Sequence, residues 1–357
     1  MKSSAQIPVW TIAAPIIAAA VLLASGFGLG GFLVVLIAAA LAGSVFAAVH
    51  HAEVVAQRVG EPFGTLVLAL AVTLIEVALI VSLMAAGGEE AAGLARDTVF
   101  AAVMIILNGI IGLCLLLGGA KHREQSFSLD GVSASLVALG AIAIITLVFP
   151  NFTVTTPGPY YSPGQLTLIA VVTLVVYGTF VFTQTIGHRQ FFLDDADAPS
   201  PHSVPSNGVT AVSSVVLLFC LAAVVLLAKK LAPGLEALVV RLNAPNAVVG
   251  VIIAAIVLLP EGLAALRAAR ANRLQTSLNL ALGSALASIG LTIPTVSFLS
   301  LYMNTHLQLG IDSKSMLLLM LSLFVASLVL RTGRTIILHG VVLLTVFVVY
   351  LFTTVVP

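Results

Sequence analysis

The stretch AVTLIEVALIVSL (71–83) places a glutamate, Glu76, in the middle of an otherwise apolar segment. A second, Glu261, lies within VLLPEGLAALRAAR (257–270). Of the 14 acidic residues, these two fall deep inside long apolar runs. An ionised carboxylate at the centre of a membrane helix costs about 2.5–3.5 kcal/mol, so neither is expected to face lipid. Each is expected to line an enclosed or hydrated cavity, or to be protonated, and therefore to respond to cations and pH.

Composition identifies the kind of protein in which these glutamates lie. The chain is 60% hydrophobic and only 8% charged, whereas charged residues make up about a quarter of soluble proteins. We therefore expect an integral membrane protein with membrane lipid as a partner, and the two glutamates indicate inorganic cations and protons as the others. The net charge of +1 gives no basic surplus for binding nucleic acid.

Apolar runs long enough to cross a bilayer, where about 20 helical residues are needed, number eleven. The sequence thus predicts an all-α polytopic membrane protein of about 11 transmembrane helices. The spans lie near 9–26, 30–50, 62–86, 96–119, 131–149, 164–187, 209–231, 245–266, 276–303, 315–331 and 334–355.

The distribution of lysine and arginine predicts how these spans are oriented. With eleven crossings, ten of the 15 basic residues fall on the side of the N-terminus, including Arg58, Lys121 and Arg270. Because basic loops stay in the cytoplasm, the N-terminus is predicted to be cytoplasmic and the C-terminus outside.

The order of the spans indicates an internal repeat. Glu76 and Glu261 lie five spans apart, and an odd number of crossings makes a second five-helix half run inverted relative to the first. Secondary transporters have this plan, with the ion site near mid-membrane where the repeats meet. The predicted segments are an N-terminal transmembrane helix (1–28), a first five-helix repeat (29–187), an acidic, Pro-rich cytoplasmic linker (188–208) and a second five-helix repeat (209–357).

Each glutamate-bearing span is followed by a span with polar and small residues on one face. Asn108 lies in the first of these, and Ser284, Ser288 and Thr292 recur at a spacing of four residues in the second. Such faces also let membrane helices approach closely, so a purely structural role stays open. We predict that Asn108, Ser284 and Ser288 line the cation and proton site.

Further oxygen ligands are expected next to the glutamates. Pro260 lacks an N–H group, so the carbonyl of Ile256 is expected to be free in a helix broken near Glu261. Thr73 lies three residues before Glu76 on the same helical face and is predicted to supply the corresponding oxygen.

At these residues the sequence resembles a known family. The segments 60–83 and 258–294 are similar to the two alpha-repeats of the calcium/cation antiporter superfamily, within its cation/proton exchanger branch. They look most like bacterial ChaA-type calcium/proton antiporters. The resemblance implies that Glu76 and Glu261 bind both the metal cation and the protons, and that the protein lies in a bacterial inner membrane.

The same resemblance extends to other residues. GSALAS (283–288) looks like the family's GSA element, and Asn108 matches an asparagine of the first repeat. An acidic segment between the halves of relatives corresponds here to Asp194, Asp195 and Asp197, which implies either a regulatory cation site or a solvated linker.

Departures from the family pattern leave the cation open. Relatives commonly carry Gly-Asn-Ala before each glutamate and often a glutamine in the second GSA element. This sequence has Val72, Thr73 and Leu74, then Val257, Leu258 and Leu259, and finally Ala287 at those positions. Fewer oxygen ligands remain for Ca²⁺, which prefers six to eight, so Ca²⁺, Na⁺ and K⁺ all stay candidates.

The predicted function is therefore secondary active exchange of a cation, Ca²⁺ foremost, for protons, with no resident cofactor and no enzymatic activity. An intramembrane hydrolase is disfavoured because the chain has no HExxH motif and no Ser/His pair at matching depth. A passive cation channel and a proton-coupled transporter of another solute remain as alternatives.

Overall fold

The computed structural model describes residues 7–25, 30–60, 63–87, 92–193, 205–241, 245 and 247–356. Within them the chain is almost entirely helical, as expected where every backbone polar group must be bonded inside a spanning segment. The helices are α1 (Val9–Ala24), α2 (Gly30–Val59), α3 (Phe63–Gly87), α4 (Leu94–Met104), α5 (Ile111–His122), α6 (Leu129–Ala143), α7 (Pro163–Phe182), α8 (Asn207–Arg241), α9 (Ala247–Arg270), α10 (Leu274–Met303), α11 (Ser313–Val329) and α12 (Ile337–Val355).

Several spans are not uniform α-helices. A π-helical segment, Ile105–Ile110, joins α4 to α5 in one continuous span. Other π-helical segments follow α6 (Ile144–Val148) and α7 (Thr183–Gly187). Short 3₁₀ helices occupy Phe149–Phe152 and Arg189–Phe192.

The helices account for the predicted spans. Among the described residues, eight helical spans are long and apolar enough to cross a membrane. Three shorter apolar helices, Val9–Ala24, Leu70–Ser82 and Ser313–Val329, supply the rest. The prediction of an all-α polytopic protein with about eleven spans is confirmed.

The described residues group into two compact units. Unit 1 lies within Met1–Gly88 and Pro199–Val249, and unit 2 within Glu89–Ala198 and Gly250–Pro357. Unit 1 therefore contains α1, α2, α3 and α8, and unit 2 contains α4 to α7, most of α9, and α10 to α12. The two inverted repeats predicted from the sequence stay a prediction.

Unit 1 is organised around an antiparallel pair formed by α2 and α8. Near the end of α2, Arg58 donates to the carbonyl of Pro205 at 3.4 Å and to the side chain of Asn207, where α8 begins. Near the start of α2, Val34 lies against Gly234, far along α8. Helices α1 and α3 pack against the same pair.

Unit 2 contains a close helix crossing between α5 and α12. A Cβ atom at Gly119 would lie 2.8 Å from the backbone nitrogen of Ile337, and one at Gly340 would overlap the backbone of Leu116. Glycines at such contacts let membrane helices approach backbone to backbone. These positions therefore tolerate no larger residue without separation of α5 from α12.

One end of unit 2 is joined by a short β-ribbon that the sequence did not predict. Strand β1 (Glu124–Ser126) pairs antiparallel with β2 (Arg334–Ile336). At the same end, Lys121 donates to the carbonyl of Arg270 at 2.9 Å. Loops predicted to lie on the cytoplasmic side thus meet at one end of the unit.

Other loops meet in a second group of contacts within unit 2. Arg96 donates to the carbonyl of Gly310 at 3.1 Å, and Asn151 donates to the carbonyl of Ile311 at 2.9 Å. These residues belong to loops and helix ends that the span order places on the outer side. Within this unit, successive loops along the chain therefore fall into two groups, as expected if each predicted span crosses the membrane once.

Candidate cation site

Glu76 and Thr73 are buried together on α3 in unit 1. Each side chain is 4% exposed, and the Oε1 atom of Glu76 is shielded from solvent. Leu70 and Leu74, on another side of the helix, are 46% and 54% exposed. The three-residue spacing from Thr73 to Glu76 thus places a hydroxyl and a carboxylate on the protected side of α3, as the sequence analysis expected.

Glu261 lies on α9 in unit 2. Both of its carboxylate oxygens are shielded from solvent. The expected break in this helix is wrong, because α9 continues from Ala247 to Arg270 with Pro260 inside it. A proline removes only one N–H donor, and the hydrogen bonds of its neighbours hold the helix together.

Asn108 lies in the π-helical segment of the span formed by α4 and α5. Its side chain is fully buried. Its amide nitrogen donates to the hydroxyl of Ser322 on α11 at 2.8 Å and to the carbonyl of Met104 at 3.3 Å. π-Helical turns inside α-helices occur frequently at functional sites, which fits the role predicted for Asn108.

The polar stripe predicted on α10 is present in unit 2. Ser288 is 2% exposed and Thr292 is fully buried, whereas Ser284 is partly exposed. The buried polar residues continue beyond the prediction to Ser297 and Ser300, at 0% and 3% exposed. The helix α10 therefore buries hydroxyl groups in the interior of unit 2 over several turns.

Packing brings the helices that carry Asn108 and Glu261 into direct contact. A Cβ atom at Gly262, the residue after Glu261, would lie 3.2 Å from the Cδ1 atom of Ile110. One turn further on, Ala265 of α9 joins a buried cluster with Cys114 of α5. The same cluster is covered by Leu280 of α10, so α5, α9 and α10 share one core next to the candidate site.

The predicted site residues therefore fall into two sets. Glu76 and Thr73 belong to unit 1, and the other four predicted residues belong to unit 2, where three packed helical spans carry them. The other four are Asn108, Glu261, Ser284 and Ser288. Asp194, Asp195 and Asp197, predicted as a regulatory segment, lie outside the described residues.

Ser322 is a contact of the site that sequence reasoning missed. It is one of four serines within SKSMLLLMLSLFVASLV, the sequence of α11, and it is fully buried. Ser315 lies seven residues earlier on the same helical face, but an isolated pair of serines in an apolar helix does not by itself indicate a site. Its role is visible only once α11 is placed beside the π-helical segment.

Comparison with known proteins identifies the family. The model of the family described as sodium/calcium exchanger protein matches residues 11–186 and 212–356. The chain belongs to this family. The resemblance inferred from the two glutamate-bearing segments is thereby confirmed.

Related proteins place the chain among bacterial members of the exchanger family. The sodium-potassium/proton antiporter ChaA of Escherichia coli is 39% identical over 315 residues, which cover 87% of this chain and 85% of ChaA. The protein y4hA of Sinorhizobium fredii is 48% identical over 361 aligned positions, covering 99% of this chain and 98% of y4hA.

A solved structure shares the same exchanger fold. The structure of native YfkE matches with a TM-score of 0.76 and 16% identity, covering 98% of this chain and 99% of YfkE. At this identity the likeness establishes the helical architecture. The chain is thus a multi-pass membrane protein of the exchanger family.

Proposed function

We propose that this protein is a secondary active antiporter that exchanges a metal cation for protons. Ca²⁺ is the foremost candidate, and Na⁺ and K⁺ are the others. One observation carries the proposal: Glu76 and Glu261 are shielded carboxylates in membrane helices of a chain that belongs to the exchanger family. The name of ChaA, a sodium-potassium/proton antiporter, supports proton coupling and the inclusion of monovalent cations.

The mechanism follows from charge. Two carboxylates removed from water repel each other and are poorly hydrated, so both favour neutralisation. Protons neutralise them one at a time, whereas a single divalent cation offsets both charges. Protons and cation therefore compete for Glu76 and Glu261, which serve as the shared cation and proton ligands.

Competition becomes exchange if the protein changes its open side only when the site is neutralised. The site then changes from one open side to the other while it holds protons, and changes back while it holds the cation. In this proposal the two inverted five-helix repeats provide the two alternating states. An inward proton gradient would drive export of the cation.

The oxygen ligands beyond the carboxylates come from neutral side chains. Thr73 lies beside Glu76 on α3, and Asn108, Ser284 and Ser288 lie on spans that pack with α9 in unit 2. Hydroxyl and amide oxygens suit hard cations such as Ca²⁺ and Na⁺. Water would complete the coordination of Ca²⁺, since these side chains supply few ligands.

We further propose that the protein lies in the bacterial inner membrane with its N-terminus in the cytoplasm. The excess of basic residues on that side supports this orientation. The acidic linker would then be cytoplasmic, where Asp194, Asp195 and Asp197 could bind a regulatory cation.

The experiment that tests the function uses inside-out vesicles carrying the protein and an imposed proton gradient that is acid inside. Ca²⁺, Na⁺ and K⁺ are added in turn, and internal pH is followed by fluorescence. An antiporter predicts that at least one cation dissipates the gradient, and that a proton gradient drives cation uptake into the vesicles. Cation flux that proceeds equally without any proton movement would indicate a channel and would contradict the proposal.

A further inference from the structure

The orientation of the Asn108 side-chain amide is determined by two neighbours. Its nitrogen lies 2.8 Å from Oγ of Ser322 and 3.3 Å from the carbonyl oxygen of Met104. The hydroxyl of Ser322 itself donates to the carbonyl of Leu318 at 2.7 Å. Because this bond uses the only hydroxyl hydrogen, Ser322 must act as an acceptor toward Asn108.

Both neighbours of the amide nitrogen are therefore acceptors. A reversed amide would place the oxygen Oδ1 of Asn108 against the carbonyl oxygen of Met104, which is repulsive. It would also leave Oδ1 without a donor at Ser322 as long as the Ser322 hydroxyl stays bonded to Leu318. The hydrogen-bond network thus selects one of the two amide orientations. In that orientation Oδ1 is the end of the side chain that points away from Ser322.

The oxygen Oδ1 of Asn108 is buried and, within the described part of the chain, has no hydrogen-bond partner. Leaving a buried acceptor unsatisfied costs about 1–3 kcal/mol, so native proteins rarely do so. Asn108 belongs to the same span as Ile110, and this span packs against α9 at the residue following Glu261. An amide oxygen at this place suits a hard cation or its bound water.

We propose that Ser322 is a positioning residue for cation binding, which orients Asn108 so that its oxygen faces the transported cation. This inference rests on the proposed function, since the cation is the one exchanged for protons. Ser322 does not touch the cation in this account. It acts by occupying the amide nitrogen of Asn108, which would otherwise be free to turn toward a positive charge.

A serine in a membrane helix commonly bonds the carbonyl four residues earlier, as Ser322 does with Leu318. A purely structural role would therefore affect stability without any specific effect on cation affinity. Ser327 offers a matched control on the same helix, since it is exposed and donates only to the nearby carbonyl of Phe324, at 2.7 Å. The test compares Ser322→Ala with Ser327→Ala.

The first measurement is the dependence of exchange rate on cation concentration in inside-out vesicles, using Ca²⁺ and Na⁺. Ser322→Ala is expected to raise KM about three- to tenfold, the effect of losing one hydrogen bond, with little change in maximal rate. Ser327→Ala and Ser322→Thr, which keeps the hydroxyl, are expected to retain the wild-type KM. A wild-type KM in Ser322→Ala would overturn the proposal.

A double-mutant comparison then tests whether Ser322 acts through Asn108. In an Asn108→Ala background, Ser322→Ala should have no further effect on cation affinity, because the amide that it orients is gone. An equal loss of affinity in both backgrounds would show that Ser322 acts independently and would also overturn the proposal. If Ser322→Ala does not reach the membrane, Ser322→Cys keeps the volume with a weaker acceptor and should show the same direction of change.

A binding measurement separates this inference from the proposed function. Cation binding to the purified protein in detergent raises its unfolding temperature, whether or not transport occurs. If the wild type exchanges no cation for protons, yet Ca²⁺ stabilises it more than Ser322→Ala, the proposed exchange fails and the positioning role stands. If exchange occurs and Ca²⁺ stabilises both proteins equally at every concentration, the positioning role fails.

Discussion

The ring of Tyr177 on α7 lies directly on Gly290 of α10, so closely that a Cβ atom at position 290 would be 2.7 Å from the Cγ atom of Tyr177. Gly290 lies two residues after Ser288, on the helix that carries the polar stripe. The contact therefore determines how closely α10 approaches α7, and with it the position of the hydroxyl groups on α10. A side chain at position 290 would require the stiff base of the tyrosine ring to move.

Gly290→Ala is therefore expected to destabilise the protein by about 1–3 kcal/mol, the typical cost of overpacking, and to lower the exchange rate. Gly178→Ala is the matched control. It lies on α7 next to Tyr177, and a Cβ atom there would meet nothing within 4 Å. Alanine at position 178 should be neutral or stabilising by up to about 1 kcal/mol, because alanine favours helix more than glycine. Unfolding temperatures of the two variants in detergent check this; equal values would contradict the tight contact.

The native cysteines are expected to be unreactive in the folded protein. Cys114 and Cys220 are free thiols and are 1% and 0% exposed. A membrane-impermeant maleimide should therefore label neither in intact vesicles and both after denaturation in detergent. Labelling of the folded protein at either position would contradict the burial of that cysteine described above.

Two added cysteines then test the predicted orientation. Glu124→Cys is in the β-ribbon, on the side predicted to be cytoplasmic, and the Glu124 side chain is 52% exposed. Thr155→Cys is in an exposed loop on the side predicted to be outside. The impermeant maleimide should label position 124 only in inside-out vesicles and position 155 only in intact spheroplasts. The reverse pattern would invert the topology and the direction of transport.

Hydropathy was sufficient to predict the fold class and to single out Glu76 and Glu261. The reason is physical: lipid requires long apolar helices, so a lone carboxylate within one is conspicuous. The Thr73 and Ser288 positions followed from helical periodicity, and both are buried.

Other features depend on tertiary packing and left no signal in the sequence. The π-helical segment around Asn108 adds one residue to a turn, a small change that the apolar pattern of the span does not record. Strands β1 and β2 are three residues each, too short for an alternating pattern to be recognised. The role inferred for Ser322 depends on its contact with Asn108 in the neighbouring span. Pro260 is accommodated within α9 because the flanking hydrogen bonds persist.

The central claim is that Glu76 and Glu261 are the shared ligands of cation and proton. The most direct test measures cation-induced dissipation of an acid-inside gradient in inside-out vesicles bearing Glu76→Gln or Glu261→Gln. Glu124→Gln is the control, because Glu124 forms an exposed ion pair with Arg334 at 3.2 Å, and such pairs contribute little. We predict that Glu76→Gln and Glu261→Gln both fall to the rate of protein-free vesicles for every cation, while Glu124→Gln behaves like the wild type. Normal exchange in both Glu76→Gln and Glu261→Gln would contradict the account.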